Sequence, residues 1–212
     1  MIQSKLSVLM AERGLKISDL YEETGISKTT LMALAENSGK GVQFDTVDKL
    51  CNFLGVTPCE FFEYSPYIVN IEESKYYSQK ENNLNDLAVT VKNQFYEKTF
   101  YLSIYIDSGD AFDLPINDTD LKLAVLIGLS GNESYKDEEF FKFLSELSVA
   151  FKTEFINKII NNIKEKLSEN LGEQGYTPIS NQENKITLAK KDKILFHLFG
   201  YTKFEMVKKV II

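Results

Sequence analysis

Arginine is almost missing from this chain of 212 residues. Of its 24 basic residues only Arg13 is arginine, and the other 23 are lysine. The planar guanidinium fork that pairs with guanine or phosphate in a bidentate way is therefore nearly unavailable. Tryptophan is absent and His197 is the single histidine. The two cysteines, Cys51 and Cys59, are too few for a disulfide framework. With one histidine they also fall short of the four nitrogen or sulfur ligands of a structural zinc site. Both lie among apolar residues, so both are expected in the core. No basic-then-apolar leader opens the sequence, and no run approaches the roughly 18 apolar residues of a membrane helix. A soluble, cytoplasmic protein without cofactor or metal is the expectation. The net charge of −7, taken alone, argues against a surface coated for nucleic acid.

What the sequence has is ordinary globular composition, 43 % apolar and 26 % charged. Its two parts read differently. Residues 1–66 are dense in short amphipathic helices with clear stops. Leu6, Leu9 and Met10 share one face of a first helix that ends at Gly14. Ser18 is placed to cap a second, carrying Leu20 and Tyr21, which stops at Gly25. Ser27 caps a third, with Leu31 and Leu34 on one face. Asp45 opens a fourth, whose stripe is Val47, Leu50, Cys51 and Leu54, before Gly55. In Thr57-Pro58-Cys59-Glu60 a Thr cap, a proline at the first helical position and a returning glutamate open a fifth. An all-α module of five helices is expected.

Residues 67–212 mix periods. Thr99 to Ile106 alternates and reads as a strand, with Leu87 to Phe95 as its partner or as a helix. Leu121 to Leu129 is an apolar run that periodicity does not settle. From Glu138 to Leu171 there is neither proline nor glycine. Apolar residues recur at Phe140, Leu144, Leu147, Phe151, Phe155, Ile159, Ile163 and Leu167, one long helix or two joined. Gly172 to Asn184 reads as a loop, and Lys185 to Lys190 and Ile194 to Phe199 as strands. The fold class expected is thus α+β overall: an all-α head over 1–66 and, over 67–212, an α+β domain with a long helix and antiparallel strands.

The second and third helices have the spacing of a helix-turn-helix. Gly25 supplies the turn, Ile26 packs between the helices, and Ser27 caps the next helix. That helix opens on the polar turn Lys28-Thr29-Thr30. A helix made only for the core needs no such turn, whereas one that enters the major groove does. Over Ile17 to Tyr64, with G-I-S-K-T-T-L and the closing L-G-V-T-P-x-E-F-F as its most telling parts, the chain resembles the Xre/Cro phage-repressor type of helix-turn-helix. The resemblance covers about residues 1–66, under a third of the chain. It implies binding to double-stranded operator DNA, as a homodimer on an inverted repeat.

Carried over by residue, the resemblance puts base reading on Lys28, Thr29 and Ala33, with Met32 nearby. Lys28 can donate to guanine O6 or N7, and Thr29 and Ala33 can meet a thymine methyl. Ser27 and Thr30 cap the helix or touch phosphate. A phosphate-binding glutamine is common in this family at the place held here by Ile17, so Lys16 or Ser18 is expected to make that contact. In the loop after the reading helix, Asn37 and Lys40 are further candidates for phosphate, helped by Gly39 and Gly41.

Charge is unevenly spread. Residues 1–66 carry −3, 67–96 carry −1, 97–146 carry −7 and 147–212 carry +4. A head of net −3 binds DNA only through a locally basic face, so binding is expected to be modest and salt-sensitive. The block with Asp107, Asp110, Asp113, Asp118 and Asp120 lacks the EF-hand spacing and reads first as solvated loop charge. A calcium site or a surface for a basic partner are its other readings. No catalytic constellation is visible, and His197 sits in an apolar run as a packed histidine. Some repressors of the resembling type cleave themselves at an Ala-Gly or Cys-Gly bond. Neither dipeptide occurs here, so no self-cleavage is expected, and the protein is read as no enzyme. The Glu138–Leu171 stripe serves dimerisation or its own domain's core. The alternative function is an inhibitor similar in architecture to some phage anti-CRISPR proteins: the head represses its own promoter, and residues 67–212 block a Cas nuclease as protein partner.

Overall fold

The computed structural model describes residues 1–74, 84–109, 120–172, 175–181 and 183–212. The chain divides into two compact units, Met1–Tyr67 and Ile68–Ile212, and it is mixed helix and sheet.

In the first unit, strand β1 (Ile2–Ser4) precedes helices α1 (Leu6–Arg13), α2 (Ile17–Thr24), α3 (Lys28–Ala35), α4 (Phe44–Leu54) and α5 (Pro58–Phe61), and strand β2 (Phe62–Tyr64) follows. The expected stops hold. Gly14, Gly25 and Gly55 all take left-handed φ values of 64–68° at the ends of α1, α2 and α4, a conformation that glycine adopts without steric cost. Leu6, Leu20, Leu31, Leu50 and Phe61 are fully buried together at the centre.

Three local expectations are corrected. The head is not all-α, because β1 and β2 pair antiparallel with Ile2 opposite Tyr64. Ser18 does not cap α2. The cap position is Lys16, whose backbone N–H donates to the Asp19 carboxylate at 2.8 Å, and a carboxylate at the third helical position satisfies that donor better than a hydroxyl inside the first turn. Cys59 is exposed while Cys51 is buried. Cys59 is the second residue of a four-residue helix whose apolar face is met by Phe61.

The second unit is one six-stranded sheet in sequential order: β3 (Ile68–Glu73), β4 (Leu87–Lys92), β5 (Glu97–Ser108), β6 (Leu121–Leu129), β7 (Lys193–Leu198) and β8 (Met206–Ile211). All neighbours are antiparallel except β6 and β7. The expected antiparallel strands are present, and the one parallel pair departs from them because of the crossover. A parallel neighbour cannot be reached by a hairpin, and here the connection carries α6 (Asp137–Glu146) and α7 (Val149–Glu169). The apolar stripe from Phe140 is thus two helices. Leu147 is extended between them, and the Ser148 hydroxyl accepts from the Phe151 N–H at 3.4 Å to start the second. All eight stripe residues are buried within the single chain, so none is left to face a second copy.

Phe100, Leu102, Ile104 and Ile106 are the buried alternate residues of β5. Phe140 joins sheet and helix, with ring centroids 5.2 Å from Phe100 and 5.5 Å from Phe199. Lys185–Lys190 forms only an isolated bridge, Ile186 to Tyr176, rather than a strand.

Candidate nucleic-acid interface

The helix-turn-helix is assembled from its caps. The Thr24 hydroxyl donates to the Leu20 carbonyl at 2.5 Å and accepts from the Ile26 N–H at 3.3 Å, which fixes the turn around Gly25. The Ser27 hydroxyl oxygen accepts from the Thr30 N–H at 3.2 Å and pairs with the Thr30 hydroxyl at 2.9 Å. Ile26 and Leu31 are buried, anchoring the turn and the inner face of α3. Lys28, Thr29 and Thr30 then project into solvent with Ser27. An exposed polar first turn on a helix whose opposite side is locked into the core is what entry into a major groove requires.

On the same outer side Met32 is half exposed, and Ala33 is partly covered. Lys16 and Lys40 are exposed at the start of α2 and in the loop after α3. Ser18 is half-buried, and its hydroxyl donates to Asp19 at 3.2 Å. The structure therefore brings Ser27, Lys28, Thr29, Thr30, Met32 and Ala33 onto one helix. Lys16, Ser18, Asn37 and Lys40 lie in the flanking segments.

Asn37 has a second occupation. It takes a positive φ of 53° at the end of α3, and its carboxamide is held by the backbone of Ser4. Only its remaining N–H and lone pair are left for another partner. Arg13, the single arginine, is also engaged: it donates to the Leu9 carbonyl at 3.2 Å and lies 3.5 Å from Glu12.

Sequence reasoning missed Tyr21. It lies on the outer side of α2, 45 % exposed, and the Lys28 ammonium sits 5.3 Å from its ring centroid. The signal was an aromatic residue off the apolar stripe of α2, seven positions before a lysine at the start of α3. At the far end of the head, the Thr57 N–H donates to Glu60 at 2.7 Å and the Glu60 N–H donates back to the Thr57 hydroxyl oxygen. The Thr57 backbone and hydroxyl hydrogen bonds hold the Glu60 carboxyl below the usual range.

In the second unit two residues of the expected acidic block, Asp107 and Asp120, are described. Asp107 is buried rather than solvated, accepting from the Ser108 N–H at 2.8 Å and from the Ser180 hydroxyl. Asp120 lies 3.5 Å from Lys193. Asp110, Asp113 and Asp118 fall outside the described residues. Among the described residues, no cluster of His, Cys, Asp and Glu is disposed to hold a metal ion, and no helix is long and apolar enough to cross a membrane. His197 is mostly covered, with its Nε2 2.7 Å from Glu205. That hydrogen bond, with a second from the Tyr201 N–H, lowers the Glu205 pKa.

The first unit has the geometry of a helix-turn-helix reader. Residues 5–67 match the family model of the Cro/C1-type HTH DNA-binding domain, and this stretch is such a domain. No curated protein and no solved structure matches the chain.

Proposed function

We propose that the protein is a sequence-specific transcriptional regulator, a phage or mobile-element repressor that binds an inverted-repeat operator as a homodimer. The observation that carries this reading is α3: capped by Ser27, locked by Leu31, and open to solvent through Lys28, Thr29 and Thr30. In the reading, Lys28, Thr29 and Ala33 meet base edges, and Lys16, Ser18 and Lys40 meet phosphate. The second unit dimerises or senses an effector, and the chain performs no catalysis. It acts in the cytoplasm.

Pairing of heads has support in the first unit. Phe44, the first residue of α4, is 94 % exposed. It borders a groove of about 370 Å³ lined also by Val42, Val47, Asp48, Pro58 and Phe62. A two-fold interface joins the same patch on both copies, and this patch sets an exposed aromatic ring on a mostly apolar groove. Selection of bound duplexes from a random pool tests the reading. Recovered sites should share a motif repeated with dyad symmetry, half-sites about one helical turn apart. Recovery of no common motif would count against sequence-specific regulation.

A further inference from the structure

We propose that Tyr21 is a positioning residue for Lys28, its ring holding the lysine ammonium at the mouth of the reading helix. The inference rests on the reading of Lys28 as a groove contact and adds how that contact is prepared.

Lys28 is an awkward residue where it stands. It is the first residue of α3, and the start of a helix carries the positive end of the backbone dipole, which disfavours a cation there. Asp19, Glu22 and Glu23 belong to the neighbouring helix, yet none of them pairs with Lys28 among the described residues, and Asp19 is taken by the Lys16 N–H and the Ser18 hydroxyl. What meets the ammonium is the Tyr21 ring, 5.3 Å away at its centroid, within the range in which the face of an aromatic ring attracts a cation.

Tyr21 is itself unusual. With nearly half its surface exposed it belongs to no core cluster, and its hydroxyl has no partner among the described residues. A residue that adds little to the core, yet lies against the cation at the reading turn, has its physical role in that contact. Lysine has a long flexible stem that loses rotamer freedom when its head is fixed. A ring that limits the ammonium before DNA arrives lowers that cost, and it leaves the donors directed outward free for a base edge.

The test compares Tyr21→Phe, which keeps the ring, with Tyr21→Leu, which removes it, in the full chain, each with and without Lys28→Ala. In the DNA-free protein, ring current should shift the Lys28 side-chain proton resonances upfield in the native chain and in Tyr21→Phe, but not in Tyr21→Leu. Affinity for the selected duplex should fall about two- to fivefold in Tyr21→Leu and stay near native in Tyr21→Phe. With Lys28→Ala already present, Tyr21→Leu should cost nothing more, since the two side chains act as a pair. The proposal is overturned by an equal loss in both Tyr21 variants, by no loss in Tyr21→Leu, or by a loss that persists without Lys28. If Lys28→Ala alone leaves affinity unchanged, the reading of Lys28 falls and the proposal with it. If Lys28→Ala weakens binding while Tyr21→Leu does not, only the proposal falls.

Discussion

Asn37 grips Ser4 by both ends of its carboxamide: its Oδ1 accepts from the Ser4 N–H at 2.7 Å, and its Nδ2 donates to the Ser4 carbonyl at 3.1 Å. The Ser4 hydroxyl completes the joint by donating to the Leu34 carbonyl at 2.7 Å. The side chain thus behaves as a strand residue, tying β1 to the end of α3. Because α3 carries the proposed reading turn, this joint fixes the rear of the helix whose front is proposed to meet DNA.

Asn37→Ala should therefore lower stability by about 1–3 kcal/mol, through two lost hydrogen bonds and a left-handed backbone that alanine resists. Asn37→Gly should recover the part due to the backbone. Denaturant unfolding of the two variants measures the difference. Equal stability of Asn37→Ala and the native chain would contradict the joint.

Phe44→Glu places a charge where the two heads are proposed to meet, on a side chain already in water. Folding should be untouched, while the mass measured by sedimentation should move toward that of one chain. Affinity for a dyad-symmetric duplex should fall more than affinity for a single half-site. An unchanged mass and unchanged site preference would remove Phe44 from the interface.

Much of this site was legible in the sequence, for reasons that are local. Ser27, Thr57 and the glycines at 14, 25 and 55 act on backbone within a few residues, and their signals survive in any fold. What stayed hidden depends on distance along the chain. β1 and β2 are three residues each, too short for alternation to register, and they meet across some sixty positions. Asp107 reads as loop charge until Ser180 arrives beside it. The Tyr21 ring looks incidental until the turn at Gly25 folds Lys28 over it. Leu121–Leu129 is apolar but for Lys122 and Gly128, as β6 is a central strand paired with β5 and β7, and periodicity cannot separate such a run from a buried helix.

In the second unit, Glu73 at the end of β3 accepts from Lys166 of α7 at 2.6 Å and from Asn85 at 2.6 Å. The Lys166 hydrogen bond, with that of Asn85, holds its carboxyl below the usual range. A group whose folded pKa is depressed contributes stability above its unfolded value, lost as pH falls through the folded one. Stability of this unit should accordingly decline on acidification from about pH 5 downward. Glu73→Gln should be less stable at neutral pH and show a shallower decline, read from denaturant midpoints across pH. A parallel decline in both proteins would exclude the pair as a contributor.

No Ala-Gly or Cys-Gly bond occurs in the chain, and regulation by self-cleavage is not expected. Incubation with an activated recombinase filament should leave one intact band. Two fragments would show a cleavage route that the reading lacks.

The central claim is that a few side chains at the start of α3 read DNA, and a gel-shift with the duplex flanking the protein's own gene tests it most directly. The native chain should retard the duplex at low salt and release it as salt rises, with a slope no steeper than about −4 for a dimer using Lys16 and Lys40 of each head on phosphate. Lys28→Ala combined with Thr29→Ala, with its circular dichroism unchanged, should abolish the retarded band against excess nonspecific competitor. No retarded band for the native chain, or a band that the double variant leaves unchanged, would contradict the account.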